Sequence, residues 1–254
     1  MSLPSLFDAA LFNNLLFYPR RDRSPPPRGA RDAFVEVEPG VQLHLRRHQR
    51  PGAACLLFHG NGEVVADYDG AAERFAEAGL ALAIVDYRGY GQSGGTPTLR
   101  SMIQDVRPCF DAFAAEVGDR PIVVMGRSLG GICAAFLSAE RLPGVAGFIF
   151  ESAASDLMGV VRRRGVPEVM VSAQDRATFD PILRARRCQL PALVLHGAQD
   201  ELIHPDEARS LYAALGSAKK ALVWVGGRGH NDISLSPAYW AAIGDFVKEV
   251  APSP

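Results

Sequence analysis

The sequence predicts an α/β fold, a mostly parallel β-sheet with helices on both faces. From residue 53 onwards, short apolar runs such as ACLLF and PIVVM alternate with helical segments. Strands buried on both faces read as continuous apolar runs, and this alternation is typical of parallel sheets. The length of 254 residues suits one large domain or two small ones, and α/β domains often run this long as one unit. A content of 48% hydrophobic and 22% charged residues is ordinary for a globular protein.

The first 32 residues are predicted to form an N-terminal segment and linker outside the sheet. Pro25 to Pro27 exclude a helix in the second half of this segment. The first half has no basic start and no small-residue cleavage site, so we do not expect a signal peptide. Its apolar side chains can lie on a membrane surface or pack against the domain, and we favour packing because the basic cluster follows the apolar part. These side chains are Leu6, Phe7, Leu11, Leu15 and Phe17.

Residues 33–151 and 190–251 are predicted to form the core domain. It begins with a β-hairpin, because AFVEVEPGVQLHLRR alternates apolar and polar residues on both sides of a Pro-Gly turn. Helices separate the strands that follow, and SPAYWAAIGDFVKEV is the last helix. The predicted strands are ACLLFHG, LALAIVDYRG, PIVVMG, GVAGFIFES, LPALVLHGAQD and KALVWVGG. Right-handed crossovers bring the carboxyl ends of parallel strands to one edge of the sheet, where ligands bind.

Residues 152–189 interrupt this alternation, with no clear strand and only a weak helical pattern. A long irregular insertion in a compact domain is typically a lid or binding element, so we expect a small cap over the carboxyl edge of the sheet. Its apolar residues can line an acyl pocket or pack the cap onto the core. They are Val166, Val169, Met170, Phe179 and Ile182.

The cap is also basic, since residues 156–188 contain seven arginines and four acidic residues, a formal charge of +3. The run VRRRG, which contains Arg162 to Arg164, has two interpretations. It can meet an anionic head group such as that of a phospholipid or acyl-CoA, or it can be a solvated face. A solvated face is the favoured interpretation, because charge runs usually are one.

Charge and cysteine content exclude several classes of protein. The net charge of −1 provides no field that attracts nucleic acid, so we expect no nucleic-acid partner. None of the four cysteines forms a C-x-x-C pair, which favours buried reduced thiols in a cytoplasmic protein. No apolar run approaches the ~20 residues that cross a bilayer, so no integral membrane span is expected. The oligomeric state is left open.

Two Gly-x-Ser-x-Gly patterns stand at Gly91–Gly95 and Gly126–Gly130. This pattern marks a serine nucleophile on a tight turn from a strand into a helix. PIVVM leads directly into the second pattern, and LGGICAAFLSAERL follows Ser128 at once. The strand before Ser93 ends some six residues earlier, and Pro97 disfavours helix at the residue that precedes it. We therefore predict Ser128 as the nucleophile and Ser93 as a loop residue.

A serine hydroxyl needs an adjacent base, and an acid orients that base. His230 follows the last predicted strand in VWVGGRGHND, and Asp200 follows the preceding strand in PALVLHGAQD. The chain order Ser, acid, His is the one expected for a nucleophile on such a turn. Glu151 is a geometrically possible alternative acid, whereas Asp232 is too close to the histidine in sequence to reach behind its ring.

Two backbone N–H groups are predicted to stabilise a developing oxyanion. One is that of Leu129, directly after the nucleophile. The other is that of Asn61 in FHGNGE, a glycine-containing loop between the first long parallel strand and the next helix. The side chain of Arg127, beside the nucleophile, can face solvent or a buried acid such as Asp86, and the sequence leaves this open.

Together these motifs resemble the α/β-hydrolase superfamily. FHGNGE, VDYRGYGQSGG, GRSLGG, LVLHGAQDELI and GRGHND occur in the order used by that family, and the resemblance extends from about residue 34 to 250. It implies an α/β-hydrolase fold with an eight-stranded, mostly parallel sheet whose first two strands form the hairpin. The pattern, including NNLLFYPR, is most similar to the small-capped branch of depalmitoylase-like thioesterases, monoacylglycerol lipases and bacterial esterases. The membrane attachment of some relatives is not implied, because no cysteine precedes Cys55.

The expected activity is hydrolysis of carboxylic ester or thioester bonds in small to medium acyl substrates, through an acyl-enzyme. Neither a metal nor an organic cofactor is expected, because the predicted residues Ser128, Asp200 and His230 complete the chemistry. One alternative is a serine aminopeptidase-like amide hydrolase. Another, from a different class, is a non-catalytic binding protein on the same fold.

Overall fold

An eight-stranded sheet forms the centre of the computed structural model, which describes residues 5–252. The strands are β1 (Ala30–Glu38), β2 (Val41–His48), β3 (Ala53–Phe58), β4 (Leu80–Val85), β5 (Ile122–Arg127), β6 (Val145–Glu151), β7 (Ala192–Gly197) and β8 (Lys220–Val225). Their spatial order is β1-β2-β4-β3-β5-β6-β7-β8. The hairpin β1-β2 is antiparallel and joins β4 in antiparallel pairing, and all other pairs are parallel. The predicted mostly parallel, eight-stranded sheet is confirmed.

Helices cover both faces of the sheet, as predicted. The α-helices are α1 (Ala10–Leu16), α2 (Ala72–Glu77), α3 (Leu99–Val117), α4 (Gly130–Ser138), α5 (Leu157–Arg163), α6 (Ala173–Phe179), α7 (Pro181–Ala185), α8 (Pro205–Ala214) and α9 (Pro237–Val250). Short 3₁₀ turns are Leu6–Asp8, Val65–Tyr68, Glu168–Met170 and Ile233–Leu235. One buried cluster holds side chains of α2 and α9, and a second, on the other face, holds those of α3, α4 and α8. Within residues 5–252 no helix has the length and apolarity needed to cross a membrane.

The N-terminal segment packs against the core and the insertion at 152–189. Phe7, Phe12 and Leu16 are at most 1% exposed. The ring of Phe7 meets that of Phe179 edge-on, with centroids 4.8 Å apart. Strand β1 already begins at Ala30, within the predicted linker, and residues 1–4 of the predicted segment lie outside the described residues. The exact domain boundaries therefore stay a prediction.

Residues 152–189 contain three short helices, α5 to α7, and one 3₁₀ turn. The side chains of Asp156, Ser172 and Asp180 accept hydrogen bonds from the first-turn N–H groups of these helices. Helices of five to seven residues are too short for a clear apolar period, which explains the weak sequence pattern.

The first Gly-x-Ser-x-Gly pattern lies in a loop after β4 that is anchored to the hairpin. Ser93 Oγ donates to the carbonyl of Asp86 and accepts from the N–H of His44, both at 2.8 Å. Gly91 has a φ of +46°, and a Cβ there would lie 1.9 Å from Asp86 Oδ2. Only glycine fits this position, so the loop is a structural element.

Candidate active site

Ser128 lies on a tight turn between β5 and α4. Its φ is +50°, which is costly for a residue with a side chain and is found mostly at functional sites. A Cβ at Gly130 would lie 2.0 Å from the carbonyl oxygen of Phe58, so only glycine lets α4 approach β3 this closely. The N–H of Ser128 donates to the carbonyl of Glu151 at 2.9 Å, which ties the turn to β6.

The structure brings Ser128, His230 and Asp200 together. Ser128 Oγ is 2.9 Å from His230 Nε2, and His230 Nδ1 is 2.8 Å from Asp200 Oδ2. Each of the three residues follows the carboxyl end of a strand, β5, β7 or β8, and each is at most 8% exposed. This arrangement can activate a serine hydroxyl, because the base contacts the nucleophile and the acid orients the base.

Backbone and ring donors hold Asp200 in its charged form. Its Oδ1 accepts from the N–H groups of Leu202 and Ile203, at 3.0 and 2.8 Å. Burial of the carboxylate acts to raise its pKa, but the hydrogen bonds from His230 and Ile203 outweigh burial, and the pKa of Asp200 lies below its usual value. Asp200 can therefore stabilise a positive charge on His230.

His196, at the end of β7, is a neighbour of Asp200 that the sequence analysis did not single out. Its Nε2 is 2.8 Å from the carbonyl oxygen of Ile203 and 3.4 Å from Asp200 Oδ2. Burial lowers the pKa of His196, which favours a neutral ring that donates to the carbonyl from Nε2. The signal was present, since this histidine belongs to the LVLHGAQDELI motif.

Asn61 and Leu129 line the same pocket as Ser128. Among the described residues, no hydrogen bond from the backbone N–H of either residue is found, so both can donate to an oxygen in the pocket. Both polar atoms of the Asn61 side chain form hydrogen bonds elsewhere. Its Oδ1 accepts from Tyr18 N at 3.0 Å and from Tyr90 Oη at 2.7 Å, while its Nδ2 donates to the carbonyl of Leu16 at 2.6 Å.

The two alternative acids lie elsewhere in the site. Glu151 Oε2 accepts from the hydroxyl of Tyr239 at 2.8 Å, and its Oε1 is 3.3 Å from Arg127 Nε. Burial raises the pKa of Glu151, against the opposing effects of Arg127 and Tyr239. Asp232 Oδ1 accepts from the N–H of Gly229 at 2.7 Å and so shapes the loop before the histidine.

Arg127 faces a buried acid, one of the two environments considered from the sequence, but that acid is Glu151 and not Asp86. Its side chain is 12% exposed and lies between Glu63, at 2.5 Å, and Glu151. Burial acts to lower the pKa of Arg127, but the two carboxylates outweigh burial and raise it. The guanidinium is thus held charged at the wall of the pocket. Asp86 is instead paired with His44.

The pocket beside Ser128 has a volume of about 250 Å³. The insertion contributes Ala154, Val160, Arg163 and Arg164 to its wall. Of the apolar insertion residues predicted as candidate lining, Val169 and Met170 are 90% and 57% exposed and do not line this pocket. The remaining lining comes from residues 16, 18, 61, 63, 127–129, 202, 203, 230 and 231. Within residues 5–252 no cluster of three or more His, Cys, Asp or Glu side chains is placed to hold a metal ion.

Comparison with known proteins finds that this chain is similar to hydrolases. The model of the family described as "Serine aminopeptidase, S33" matches residues 49–175, half of the chain. Human alpha/beta hydrolase domain-containing protein 17B is 28% identical over 225 residues, which cover 85% of this chain and 70% of that protein.

Two esterase structures are similar in fold. The esterase Pf2001 of Pyrococcus furiosus superimposes with a TM-score of 0.74 at 18% identity, covering 92% of this chain and all of that one. Est1E of Butyrivibrio proteoclasticus, solved with ferulic acid bound, has a TM-score of 0.70 at 19% identity, covering 87% of this chain and all of that one. At these identities the likeness shows the α/β-hydrolase fold.

Proposed function

Because this chain belongs to the serine aminopeptidase S33 family of α/β hydrolases, we propose that it is a serine hydrolase that cleaves carboxylic esters or thioesters of small to medium acyl groups. The observation that carries this proposal is the hydrogen-bonded series Ser128–His230–Asp200 beside a pocket at the carboxyl edge of the sheet.

The geometry supports a two-step reaction through an acyl-enzyme. Ser128 Oγ attacks the acyl carbonyl while His230 Nε2 takes its proton, and His230 then gives that proton to the leaving alcohol or thiol. Asp200 accepts a hydrogen bond from His230 Nδ1–H, which keeps the proton on that nitrogen, and its negative charge stabilises the imidazolium. Water, activated by His230, then attacks the acyl-enzyme and releases the acid.

The N–H groups of Asn61 and Leu129 are proposed to hold the oxyanion that forms in both steps. They are suited to this role because they line the pocket with Ser128 and have no partner among the described residues. Loss of one such donor typically lowers kcat by about 10²–10³.

An amide hydrolase that acts on N-terminal residues is the second candidate, because the family model bears the name of serine aminopeptidases. Such an enzyme must bind a free amino group, and an unpaired carboxylate is the usual partner of an ammonium. Of the described pocket residues, Glu63 alone is acidic, and Arg127, Gly60 N and the hydroxyl of Tyr68 already contact its oxygens. We therefore rank esters and thioesters first.

A fluorophosphonate probe tests the nucleophile. We expect one adduct on Ser128 and none in Ser128→Ala. Labelling that persists in Ser128→Ala would refute the assignment, and the absence of any labelling would favour a non-catalytic binding protein on this fold.

Substitution of the acids tests the rest of the site. Asp200→Asn is expected to lower kcat about 10⁴-fold, because the wrong tautomer of His230 is then favoured. Glu151→Gln and Asp232→Asn serve as controls. A larger loss in either control than in Asp200→Asn would move the role of the acid to that residue. A panel of p-nitrophenyl esters of graded length, acyl-CoA thioesters and aminoacyl amides then ranks the bond types.

We also propose that the reaction takes place in the cytoplasm. All four cysteines are buried and unpaired, which fits a reducing compartment. Fractionation of cells labelled with the same probe checks this location.

A further inference from the structure

The three arginines of the run VRRRG have different environments. Arg162 points to solvent, with 54% of its side chain exposed, and pairs with Asp156 and Glu168. Arg163 and Arg164 line the pocket that contains Ser128. The favoured sequence interpretation of a solvated face therefore describes only the first of the three.

Arg163 is held in place from behind. Its Nη1 is 2.6 Å from Glu207 Oε1. Glu207 is itself fixed, because its Oε2 accepts from the N–H groups of Ser155 and Asp156, at 3.1 and 3.0 Å. The other terminal nitrogen of Arg163, Nη2, is buried and has no hydrogen-bond partner among the described residues. Glu207 therefore satisfies only part of this guanidinium, whose charge stays at the pocket wall.

Arg164 has no carboxylate within 4 Å in the part of the chain that the structure describes. Its guanidinium lies over the ring of Tyr18, 5.3 Å from the centroid, and Tyr18 also lines the pocket. The Nε atom of Arg164 is buried and has no acceptor among residues 5–252. Stacking on an aromatic ring orients a guanidinium and leaves its N–H groups free to bind an anion.

The other charged side chains around the pocket are already paired with one another. Arg127 lies between Glu63 and Glu151, and the oxygens of Glu63 are occupied. The least-paired cations at the pocket wall are therefore Arg163, which meets one carboxylate through a single nitrogen, and Arg164, which meets none among the described residues. Such donors favour a ligand with a carboxylate or a phosphate.

From this arrangement we propose that Arg163 and Arg164 bind an anionic group of the substrate, so that the preferred substrate is a small ester or thioester with a carboxylate or phosphate. The inference rests on the proposed function and names the substrate class for the same site. The pocket of about 250 Å³ lies below the range of about 300–1,000 Å³ that holds drug-sized ligands. The substrate that carries both the anion and the scissile carbonyl is therefore expected to be a small molecule.

Matched substrates test the proposal and separate the two sources of the anion. In the first arm, monoethyl glutarate is compared with the ethyl ester of its half-amide, which has the same shape without the charge. In the second arm, 1-butyrylglycerol 3-phosphate is compared with 1-butyrylglycerol. We expect kcat/KM for the anionic member of at least one pair to exceed that of its neutral partner by about tenfold or more, since only the anion accepts charge-assisted hydrogen bonds from the arginines.

Variants then assign the preference to the two arginines. Arg164→Gln is expected to lower the anionic-to-neutral ratio of kcat/KM about tenfold. Arg163→Lys, which can still pair with Glu207, is expected to lower it less. Arg162→Gln is the matched control from the same run, and we expect its ratio to equal that of the wild type. Thermal unfolding of each variant shows whether it is folded.

The outcomes distinguish this inference from the proposed function. Equal hydrolysis of charged and neutral members, with normal fluorophosphonate labelling of Ser128, would overturn the anion preference and leave the hydrolase intact. An anionic-to-neutral ratio that stays at the wild-type value in folded Arg164→Gln would also overturn the assignment. Absence of both labelling and hydrolysis would refute the proposed function, and the inference with it.

Discussion

Arg127 Nη1 lies 2.5 Å from Glu63 Oε1, and this ion pair joins the turn of the nucleophile to the loop that carries Asn61. The other oxygen of Glu63 accepts from the N–H of Gly60 at 2.7 Å. Arg127 Nη2 also donates to the carbonyl of His230 at 3.3 Å. One guanidinium therefore connects the loops that carry the proposed nucleophile, base and oxyanion donor.

Replacement of Arg127 by Met tests this connection. The change leaves Glu63 and Glu151 without their shared cation, and loss of one partner of a buried ion pair costs about 3–5 kcal/mol. We expect the free energy of unfolding in urea to fall by about this amount, and kcat to fall with it.

The double variant Arg127→Met/Glu151→Gln tests whether the loss of stability in Arg127→Met is electrostatic. Because the second change removes one of the two stranded carboxylates, the combined loss of stability should be smaller than the sum of the single losses. Additive losses, or a single Arg127→Met within 1 kcal/mol of the wild type, would contradict the structural role.

Replacement of the two Gly-x-Ser-x-Gly serines is expected to have opposite effects on stability and on labelling. Ser93→Ala removes two buried hydrogen bonds, to the N–H of His44 and the carbonyl of Asp86. It should lower the free energy of unfolding by about 1–3 kcal/mol per unsatisfied group and still react with the fluorophosphonate probe. Ser128→Ala should lose all labelling while its thermal unfolding changes by less than that of Ser93→Ala. A stable, unlabelled Ser93→Ala would reverse the two roles.

The sequence could place Ser128, Asp200 and His230 because each follows an apolar run, and parallel strands end at one edge of a sheet. It could not place the partners of Arg127, since a salt bridge to Glu63 depends on how two loops meet and not on any local pattern. The residues that form the pocket wall could not be predicted from the sequence either. Val160 and Arg163 lie on a seven-residue helix, which is too short to show an apolar period from which the pocket-facing side could be predicted.

Stability should depend on pH through the buried pair His44–Asp86, whose Nδ1 and Oδ2 atoms are 2.9 Å apart. Burial acts to raise the pKa of Asp86, but hydrogen bonds from His44 and His59 outweigh burial and lower it to about 2, from 3.8. Burial acts to lower the pKa of His44, but Asp86 and Asp32 outweigh burial and raise it above 6.5. Stabilisation by Asp86 is therefore present above pH 3.8 and lost as the pH falls through about 2. Stabilisation by His44 is present below pH 6.5 and lost as the pH rises through its folded pKa.

We accordingly expect His44→Asn, which can still donate one hydrogen bond to Asp86, to be most destabilising between about pH 4 and 6.5. The midpoint of thermal unfolding, measured for wild type and variant at pH 5, 7 and 9, checks this. The difference between the two proteins should be largest at pH 5 and shrink at pH 9. A difference that is the same at all three values would show that the charge on His44 does not contribute.

Substitutions of Asn61 test the position of the loop that carries it, because they change the side chain and keep the backbone N–H that is proposed to hold the oxyanion. Its side chain ties the loop to the N-terminal segment, through Leu16 and Tyr18, and to Tyr90. Asn61→Ala keeps the backbone N–H but releases the loop, so kcat should fall while the adduct on Ser128 still forms. Asn61→Asp keeps the acceptor oxygen and adds a negative charge beside the proposed oxyanion, so its kcat should fall further.

Asn13→Ala is the matched control for Asn61→Ala. Asn13 also anchors the N-terminal segment, because its Nδ2 donates to the carbonyls of Phe7 and Ala9 and its Oδ1 accepts from the N–H of Leu99. It does not line the pocket. We expect a loss of stability similar to that of Asn61→Ala, about 1–3 kcal/mol, with kcat at the wild-type value. If Asn13→Ala lowered kcat as much as Asn61→Ala, general loosening of the segment would explain both effects. If Asn61→Asp retained full activity, the loop could not lie beside the oxyanion.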